Sequence, residues 1–273
     1  MSTVSGTSLD GVSATTLWTL HNRGSEAKRS DGVIRDPWAV TLLDTISYDY
    51  LRFGKPNQSH GLRAVAFDDA ARAYLSAHPK ASVVALAEGL QTSFWRLDRS
   101  GLLDESIWYS IDLAPVMELR RQLLPADDRV VALAQSALDR SWMDRVDATD
   151  GVFITAEGLL MYLEPEDALG LIADCAARFP GGQMMFDSIP RWLSARTLKG
   201  MKLSSRYIAP PMPFGQSADE ALALAGTVDG VRTARDVALP PGRGPWRLGG
   251  ASALDYVGPL RRNRPSITVL EFG

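Results

Sequence analysis

The amino-acid sequence predicts an α/β protein: a doubly wound, mostly parallel sheet with an N-terminal helical cover and a late insertion. Between residues 82 and 189, five apolar runs alternate with helical stretches, a rhythm that implies right-handed crossovers and a sheet covered on both faces. The first eighty residues read as helical. After Ile189 the alternation stops for about forty residues, longer than an ordinary crossover loop. The expected organisation is one domain over 1–273, with a helical cover at 1–80, a sheet core at 81–188 and 230–273, and a lid insertion at 189–229. A chain of 273 residues can bury a sizeable core. Its 45% hydrophobic and 22% charged residues are those of an ordinary globular protein.

The elements follow in order. "TTLWTLHNRGSEAKR" reads as a first helix and "RDPWAVTLLDTI" as a second, with Asp36 able to cap and Pro37 at the first helical position. A third helix is expected to start at Asp68 in "DDAARAYLSAH". Strands are expected at "SVVALA" (82–87), "SIWYSID" (106–112), "RVVALA" (129–134), "GVFITA" (151–156) and "GQMMFDSI" (182–189), with a short helix after the third. In "EPEDALGLIADCAARF", Pro165 opens a helix whose Leu169, Ile172 and Ala176 fall at helical spacing. The insertion carries "IPRWLSARTLKGMK", "SSRYIAPPMPFG" and "SADEALALAG", where Ser217 and Glu220 form a capping-box pattern. "GVRTAR" and "PSITVLEFG" read as the closing strands.

Composition removes several function classes. A net charge of −3 gives no field that draws the molecule to nucleic acid or an anionic membrane. The single Cys175 excludes an internal disulfide and a Cys-rich zinc site, and His21, His60 and His78 lack metal-ligand spacing. The N-terminal stretch has no basic start and apolar core, and no apolar run approaches the ~18 residues of a membrane span. A cytoplasmic protein without metal, nucleic acid or membrane partner is expected.

In a doubly wound sheet, ligands bind beyond the carboxyl ends of the strands. The residues there are Glu88 and Gly89, Asp112, Gln135 and Ser136, and Glu157 and Gly158. Three acids among four strand ends exceed what turns require. Asp112 stands a little over ~20 residues after the first turn, where nucleoside-binding folds place an acid on the ribose hydroxyls. A glycine after a strand also serves simply as a turn former, and Asp112 also fits a helix cap. Glu157 is flanked by apolar runs, where a carboxylate is costly to bury without a cationic partner.

The segments "LRAVAFDDAARAYL", "VVALAEGLQTSFWRL", "WYSIDLAPVMELRRQLLP", "SALDRSWMD" and "TAEGLLMYLEPED" follow one another in this order. As an ordered set they resemble the leucine carboxyl methyltransferase-like family, class I S-adenosylmethionine-dependent enzymes that include bacterial natural-product O-methyltransferases. The resemblance covers about residues 12–190 and implies a Rossmann-like, seven-stranded sheet whose last strand pairs antiparallel. It also implies S-adenosylmethionine as cofactor. Arg63 matches the arginine that holds the methionine carboxylate, with Glu88 and Gly89 in the turn against that moiety. Asp112, with Leu113 beside it, matches the ribose acid. Ser136, Ala137 and Leu138 match the adenine segment, and Glu157 the glutamate near the amino-acid end. A zwitterionic headgroup needs one cation and one anion, and Arg63 and Glu157 supply both. The family turn commonly reads L-G-x-G-x-D-T-R, whereas this chain has Ala87, Gln91 and Ser93 at the first glycine, the aspartate and the arginine.

The implied activity is methyl transfer to a hydroxyl or carboxyl of a small molecule, a natural product or metabolite. Two alternatives keep the fold: a cofactor-binding enzyme that does not methylate or a ligand-binding protein, and a methyltransferase for a protein's C-terminal carboxylate. A carboxylate acceptor needs no base, whereas a hydroxyl acceptor does. The catalytic candidates are His21, on the helix covering the cofactor, and Tyr162, just past the fourth strand. Either also reads as a packing residue. For the acceptor wall the candidates are Trp192, Met201, Tyr207, Met212 and Phe214, which read equally as a satellite core under a lid. Arg191, Arg196, Lys199, Lys202 and Arg206 read as a solvated face, and Cys175 as a buried small hydrophobe.

Overall fold

The computed structural model describes residues 4–248 and 263–273, so part of the expected core segment, 249–262, lies outside the described residues. The chain enters through a two-residue strand, β1 (Val4–Ser5), which pairs in parallel with β2 (Ile46–Ser47). Between them lie α1 (Thr15–Ala27) and α2 (Pro37–Thr45). The Asp36 side chain accepts from Ala39 N and caps α2, with Pro37 in its first turn. The two helices approach closely at Gly24, where a Cβ would lie 2.9 Å from the Ala39 carbonyl oxygen.

The third helix, α3 (Ser59–Ala77), begins nine residues before the expected Asp68. Its first half carries Gly61, Leu62, Ala64, Ala66 and Phe67, all buried. A helix covered on every side shows no amphipathic contrast in sequence, and its N-cap, Gln58, makes no side-chain cap bond.

The alternating part forms β3 (Ser82–Leu86), α4 (Ser93–Asp98), β4 (Trp108–Asp112), α5 (Ala114–Leu123), β5 (Val130–Ala134), β6 (Val152–Ala156), α6 (Pro165–Arg178) and β7 (Gln183–Ser188). The short helix expected after β5 is a 3₁₀ segment, Arg140–Arg145. On α6 the apolar stripe is Ala168, Leu171, Ile172, Cys175 and Ala176. Leu169, expected on that face, is instead 37% exposed, because it lies one position round from Ala168 on the helix.

After β7 come α7 (Arg191–Leu198), α8 (Ala218–Leu222), α9 (Leu224–Thr227), β8 (Val231–Asp236) and β9 (Ser266–Phe272). The Ser217–Glu220 capping box at α8 is formed in both directions. The seven-stranded sheet has the order β5-β4-β3-β6-β7-β9-β8, parallel except for β9, which runs antiparallel to β7 and β8.

Alternation along the strands builds two cores, one on each face. Val84, Leu86, Ile111 and Ile154 pack with α6, whereas Val83, Ala85, Trp108 and Phe153 pack with α3 and α4. The chain winds from β3 out to β5 and returns to β6 on the other side of β3. The crevice at this reversal opens above the ends of β3 and β6, the usual ligand position in an open α/β sheet.

Candidate active site

At the end of β3 the backbone turns through Ala87 (φ 49°), Glu88 and Gly89 (φ 60°). Ala87 is the one non-glycine residue with positive φ among the described residues, a conformation in which an L side chain costs roughly 1–2 kcal/mol. Neighbours hold the turn in place. Glu88 directs its carboxylate inward, accepting from Ser110 Oγ and Trp108 Nε1 and pairing with Arg120 at 2.6 Å. Burial pushes this acid above the ordinary carboxylate range, against the pull of Arg120. Arg120 also donates to the Gly89 and Gln91 carbonyls at 2.8 Å each. From α1, Thr16 Oγ accepts from Leu90 N at 2.7 Å and Arg23 donates to the Leu90 carbonyl at 2.5 Å. Glu88 is therefore committed to fixing the turn, and Gly89 is held there by Arg120 on its carbonyl and Asp112 on its N–H.

Asp112 ends β4. Its Oδ2 accepts from Gly89 N at 2.6 Å and its Oδ1 from Leu113 N at 2.7 Å. Each carboxylate oxygen retains further acceptor capacity. Leu113, after β4, and Leu138, after the neighbouring β5, are 47% and 36% exposed. They offer apolar side chains beside the acid. Ser136 Oγ accepts from Leu138 N, and the Ala137 carbonyl accepts from Trp142 Nε1, both at 3.1 Å.

Across the crevice, Arg63 of α3 donates through Nε to Glu157 Oε1 at 2.9 Å and through NH1 to Asp187 Oδ2 at 2.8 Å. Gln91 Nε2 donates to the same Glu157 Oε1 at 2.6 Å, and Gly158 N to Asp187 Oδ1 at 2.6 Å. Among the described residues, nothing donates to Glu157 Oε2 and nothing accepts from Arg63 NH2. Burial alone would lower the Arg63 pKa, but Asp187 and Glu157 outweigh it and keep the guanidinium firmly charged. Burial pushes the Glu157 acid up, against Arg63. Beneath lies a cavity of about 20 Å³ lined by Asp68, Glu88, Gln91, Ser93, Thr155 and Glu157 among others, room for about one water. Gln91 Oε1 is buried without a partner.

Behind this pair sits Asp36, which accepts from Arg23 Nε (3.0 Å), Arg96 NH1 (2.7 Å), Thr92 Oγ and Ala39 N. Arg96 also holds Asp68 through two bonds, of 2.6 and 2.9 Å. Ser93, where the resembled family has arginine, accepts from Arg96 at 2.7 Å, so the guanidinium here comes from the next turn of α4. Arg23 is fully buried, with NH1 unpartnered among the described residues.

The two catalytic candidates have different surroundings. His21 Nε2 is 3.2 Å from the Gly54 carbonyl, and its ring stacks on Tyr50 at 5.6 Å and 15°. A carbonyl only accepts, so Nε2 carries the proton, and burial, which lowers its pKa, leaves Nδ1 a free acceptor. The Tyr162 phenol is buried, its pKa raised, with Thr15, Tyr207, Arg63 and Asp187 near enough to act on its charge.

The five acceptor-wall candidates divide. Met201 and Met212 pack with Met161, Ile189 and Tyr162, and Tyr207 joins the cluster under α1 and α2. Phe214, by contrast, is absorbed in the main core, and Trp192 is 47% exposed with its indole N–H on the Asn263 carbonyl. The five thus do not share one cluster, though Phe214 N donates to the carbonyl of Met161 in the methionine cluster at 3.3 Å. Phe214 follows a proline-rich turn that folds back over α7, and Trp192 faces outward on that helix.

Arg23, Asp36, Asp187 and Arg96 were absent from the sequence-derived set. Asp187 had a visible signal, an acid inside the apolar run "GQMMFDSI" with the same desolvation problem as Glu157. Arg23 and Arg96 lie on helical stretches, where a charged residue reads as surface.

A Rossmann-like sheet closed by an antiparallel β9, with acids at its central strand ends, defines a class I methyltransferase fold. The leucine carboxyl methyltransferase family model matches residues 16–176, and the chain belongs to that family. It is 31% identical over 227 residues to the tetracenomycin polyketide synthesis O-methyltransferase TcmP of Streptomyces glaucescens, covering 82% of each chain. A DUF574 family protein from Streptomyces avermitilis shares the fold with a TM-score of 0.53 at 16% identity, over 78% of this chain and 84% of that one. The plantazolicin methyltransferase BpumL, solved in complex with SAH, does so with a TM-score of 0.51 at 10% identity, over 96% of this chain and 100% of that one. The chain is thus a methyltransferase. Among the described residues, no helix is long and apolar enough to cross a membrane.

Proposed function

We propose that this protein transfers a methyl group from S-adenosylmethionine to an oxygen of a small molecule, a natural product or related metabolite. The observation that carries the reading is the pair of open valences at the switch point: Glu157 Oε2 and Arg63 NH2, opposite in charge and held on one joined pair. An α-amino acid headgroup has one ammonium and one carboxylate to satisfy them. Asp112 lies at the adjacent strand end for a ribose diol, with Leu113, Ser136, Ala137 and Leu138 along the adenine edge. The positive-φ turn at Gly89 lets Thr16 of α1 close onto it, where a Cβ would collide with the Thr16 hydroxyl. The relative TcmP, named for polyketide synthesis, supports a natural-product acceptor.

When bound, S-adenosylmethionine supplies a methyl group on a positively charged sulfur, ready for in-line displacement. The protein's part is to align and to exclude water. Arg63, Glu157 and Asp112 fix the two ends of the ligand, while α1 closes over the turn through Thr16 and Arg23. Residues 189–229 cover the acceptor side, with Met201, Met212 and Tyr162 beside the headgroup site. For a hydroxyl acceptor, Tyr162 orients the oxygen and His21 Nδ1 is the available proton acceptor. For a carboxylate acceptor neither proton transfer is needed. The lone buried Cys175 fits a reducing compartment, and the reading assigns the protein to the cytoplasm.

Calorimetric titration with S-adenosylhomocysteine tests this. The intact protein should bind it, and Asp112→Ala, which loses the diol acceptor, should weaken binding by about tenfold or more. No binding by the intact protein would remove the proposal.

A further inference from the structure

A second set of unsatisfied groups lies in the cluster under α1 and α2, against residues 203–207. Tyr207 is buried, edge-on to Phe53 with ring centroids 4.7 Å apart, and its hydroxyl has no hydrogen-bond partner among the described residues. The buried hydroxyl of Tyr50, whose ring stacks on His21, lacks a partner in the same way. Beside them the Arg52 guanidinium lies 5.4 Å from the Tyr207 ring centre and 5.9 Å from that of Tyr48. Arg52 NH1 donates to Tyr48 Oη at 3.1 Å, and no carboxylate among the described residues pairs with it. The lid is pinned to this spot from its own side. Ser204 Oγ donates to the Arg52 carbonyl, and Arg206 pairs with Asp49 at 2.8 Å.

These features call for a ligand of definite chemistry. A buried phenol without a partner is costly unless something it binds satisfies it. A guanidinium between two aromatic faces keeps most of its five N–H donors, and no local acid neutralises it. Burial raises the pKa of both Tyr50 and Tyr207, so both hydroxyls remain donors. Hydroxyl and guanidinium donors in an aromatic enclosure match a flat ring with a negatively charged oxygen, since bonds to an ionised acceptor are the strong ones. Leu203, whose N–H donates to the Tyr207 carbonyl at 2.9 Å, packs against both the Tyr207 cluster and the cluster that holds Tyr162, so this set adjoins the headgroup site.

Building on the methyltransferase reading above, we propose that Arg52, Tyr207 and Tyr50 form the acceptor-recognition element. They select a flat aromatic acceptor that carries an anionic oxygen, a carboxylate or a phenolate. Charge selection then belongs to the cover and the lid rather than to the sheet.

The test titrates three probes into the intact protein saturated with S-adenosylhomocysteine: naphthoate, nitrophenolate and the neutral naphthamide. At least one anionic probe should bind about tenfold or more tighter than naphthamide, a margin typical of a charge-assisted pair, and the better of the two identifies the anion. Arg52→Ala should abolish that preference and Arg52→Lys should keep part of it. Tyr207→Phe should weaken the anionic probe alone. All three variants should bind S-adenosylhomocysteine as the parent does, which shows that they fold and that the cofactor site is untouched. Equal binding of naphthamide, a preference that survives Arg52→Ala, or no probe binding to the saturated protein would overturn the proposal. Failure of the parent to bind S-adenosylhomocysteine, seen at the saturation step, would instead sink the reading beneath it.

Discussion

Asp36 and Glu157 are both buried carboxylates among arginines, and they end in opposite states. Asp36 accepts from Arg23, Arg96, Thr92 and the Ala39 N–H, using both oxygens. Burial works against its charge, but Arg96 and Arg23, with the hydrogen bonds, hold its acid below the ordinary range. Glu157 receives both of its donors, Arg63 and Gln91, on one oxygen. For it burial prevails and the acid is pushed up. A saturated carboxylate is scaffold. A half-saturated one at a strand end keeps its remaining valence for something that arrives from solvent.

Breaking each centre should separate these roles. Asp36→Ala leaves the fully buried Arg23 without a carboxylate, while Arg96 keeps Asp68, and should cost about 3–5 kcal/mol of stability, read by chemical denaturation. Glu157→Gln should cost far less, because the amide keeps an oxygen for Arg63. If the two variants unfold alike, the division into scaffold and site fails.

Acid should part them as well. The folded acid of Glu157 lies above its ordinary value, so as pH falls it takes up a proton earlier than a free glutamate would and loses the charge an ammonium needs. S-adenosylhomocysteine affinity should therefore decline on the acid side of neutrality while the fold is still intact. The folded acid of Asp36 lies below its ordinary value, so its stabilisation is present above the unfolded value and is lost only as pH falls through the lower one. Calorimetry and thermal unfolding along one acid titration should show affinity falling first. Glu157→Gln should flatten the affinity profile. Coincident losses would contradict the assignment.

Much of this frame was legible in the residues. Runs such as "SVVALA" and "GVFITA" became β3 and β6, because a strand buried on both faces reads as a near-continuous apolar run. Asp36 reads in the sequence as a cap, which it is, but its second role is not visible there. Its arginines come from residues 23 and 96, and only the fold brings them together. The start of α3 was hidden by all-round burial, and the split between Met212 and Phe214 by a turn whose direction depends on α7. Glu157 stands out in the sequence as an acid between apolar runs and Arg63 only through the family resemblance, and they meet at 2.9 Å across 94 positions of chain.

The most direct measurement compares S-adenosylhomocysteine with methylthioadenosine, which has the same nucleoside and lacks the amino-acid headgroup. The parent protein should bind S-adenosylhomocysteine more tightly by about 2–5 kcal/mol, as expected for a desolvated charge pair. Arg63→Ala should erase that difference and leave methylthioadenosine binding unchanged. Equal affinities in the parent, or an equal loss of both ligands in the variant, would show that the headgroup is held elsewhere.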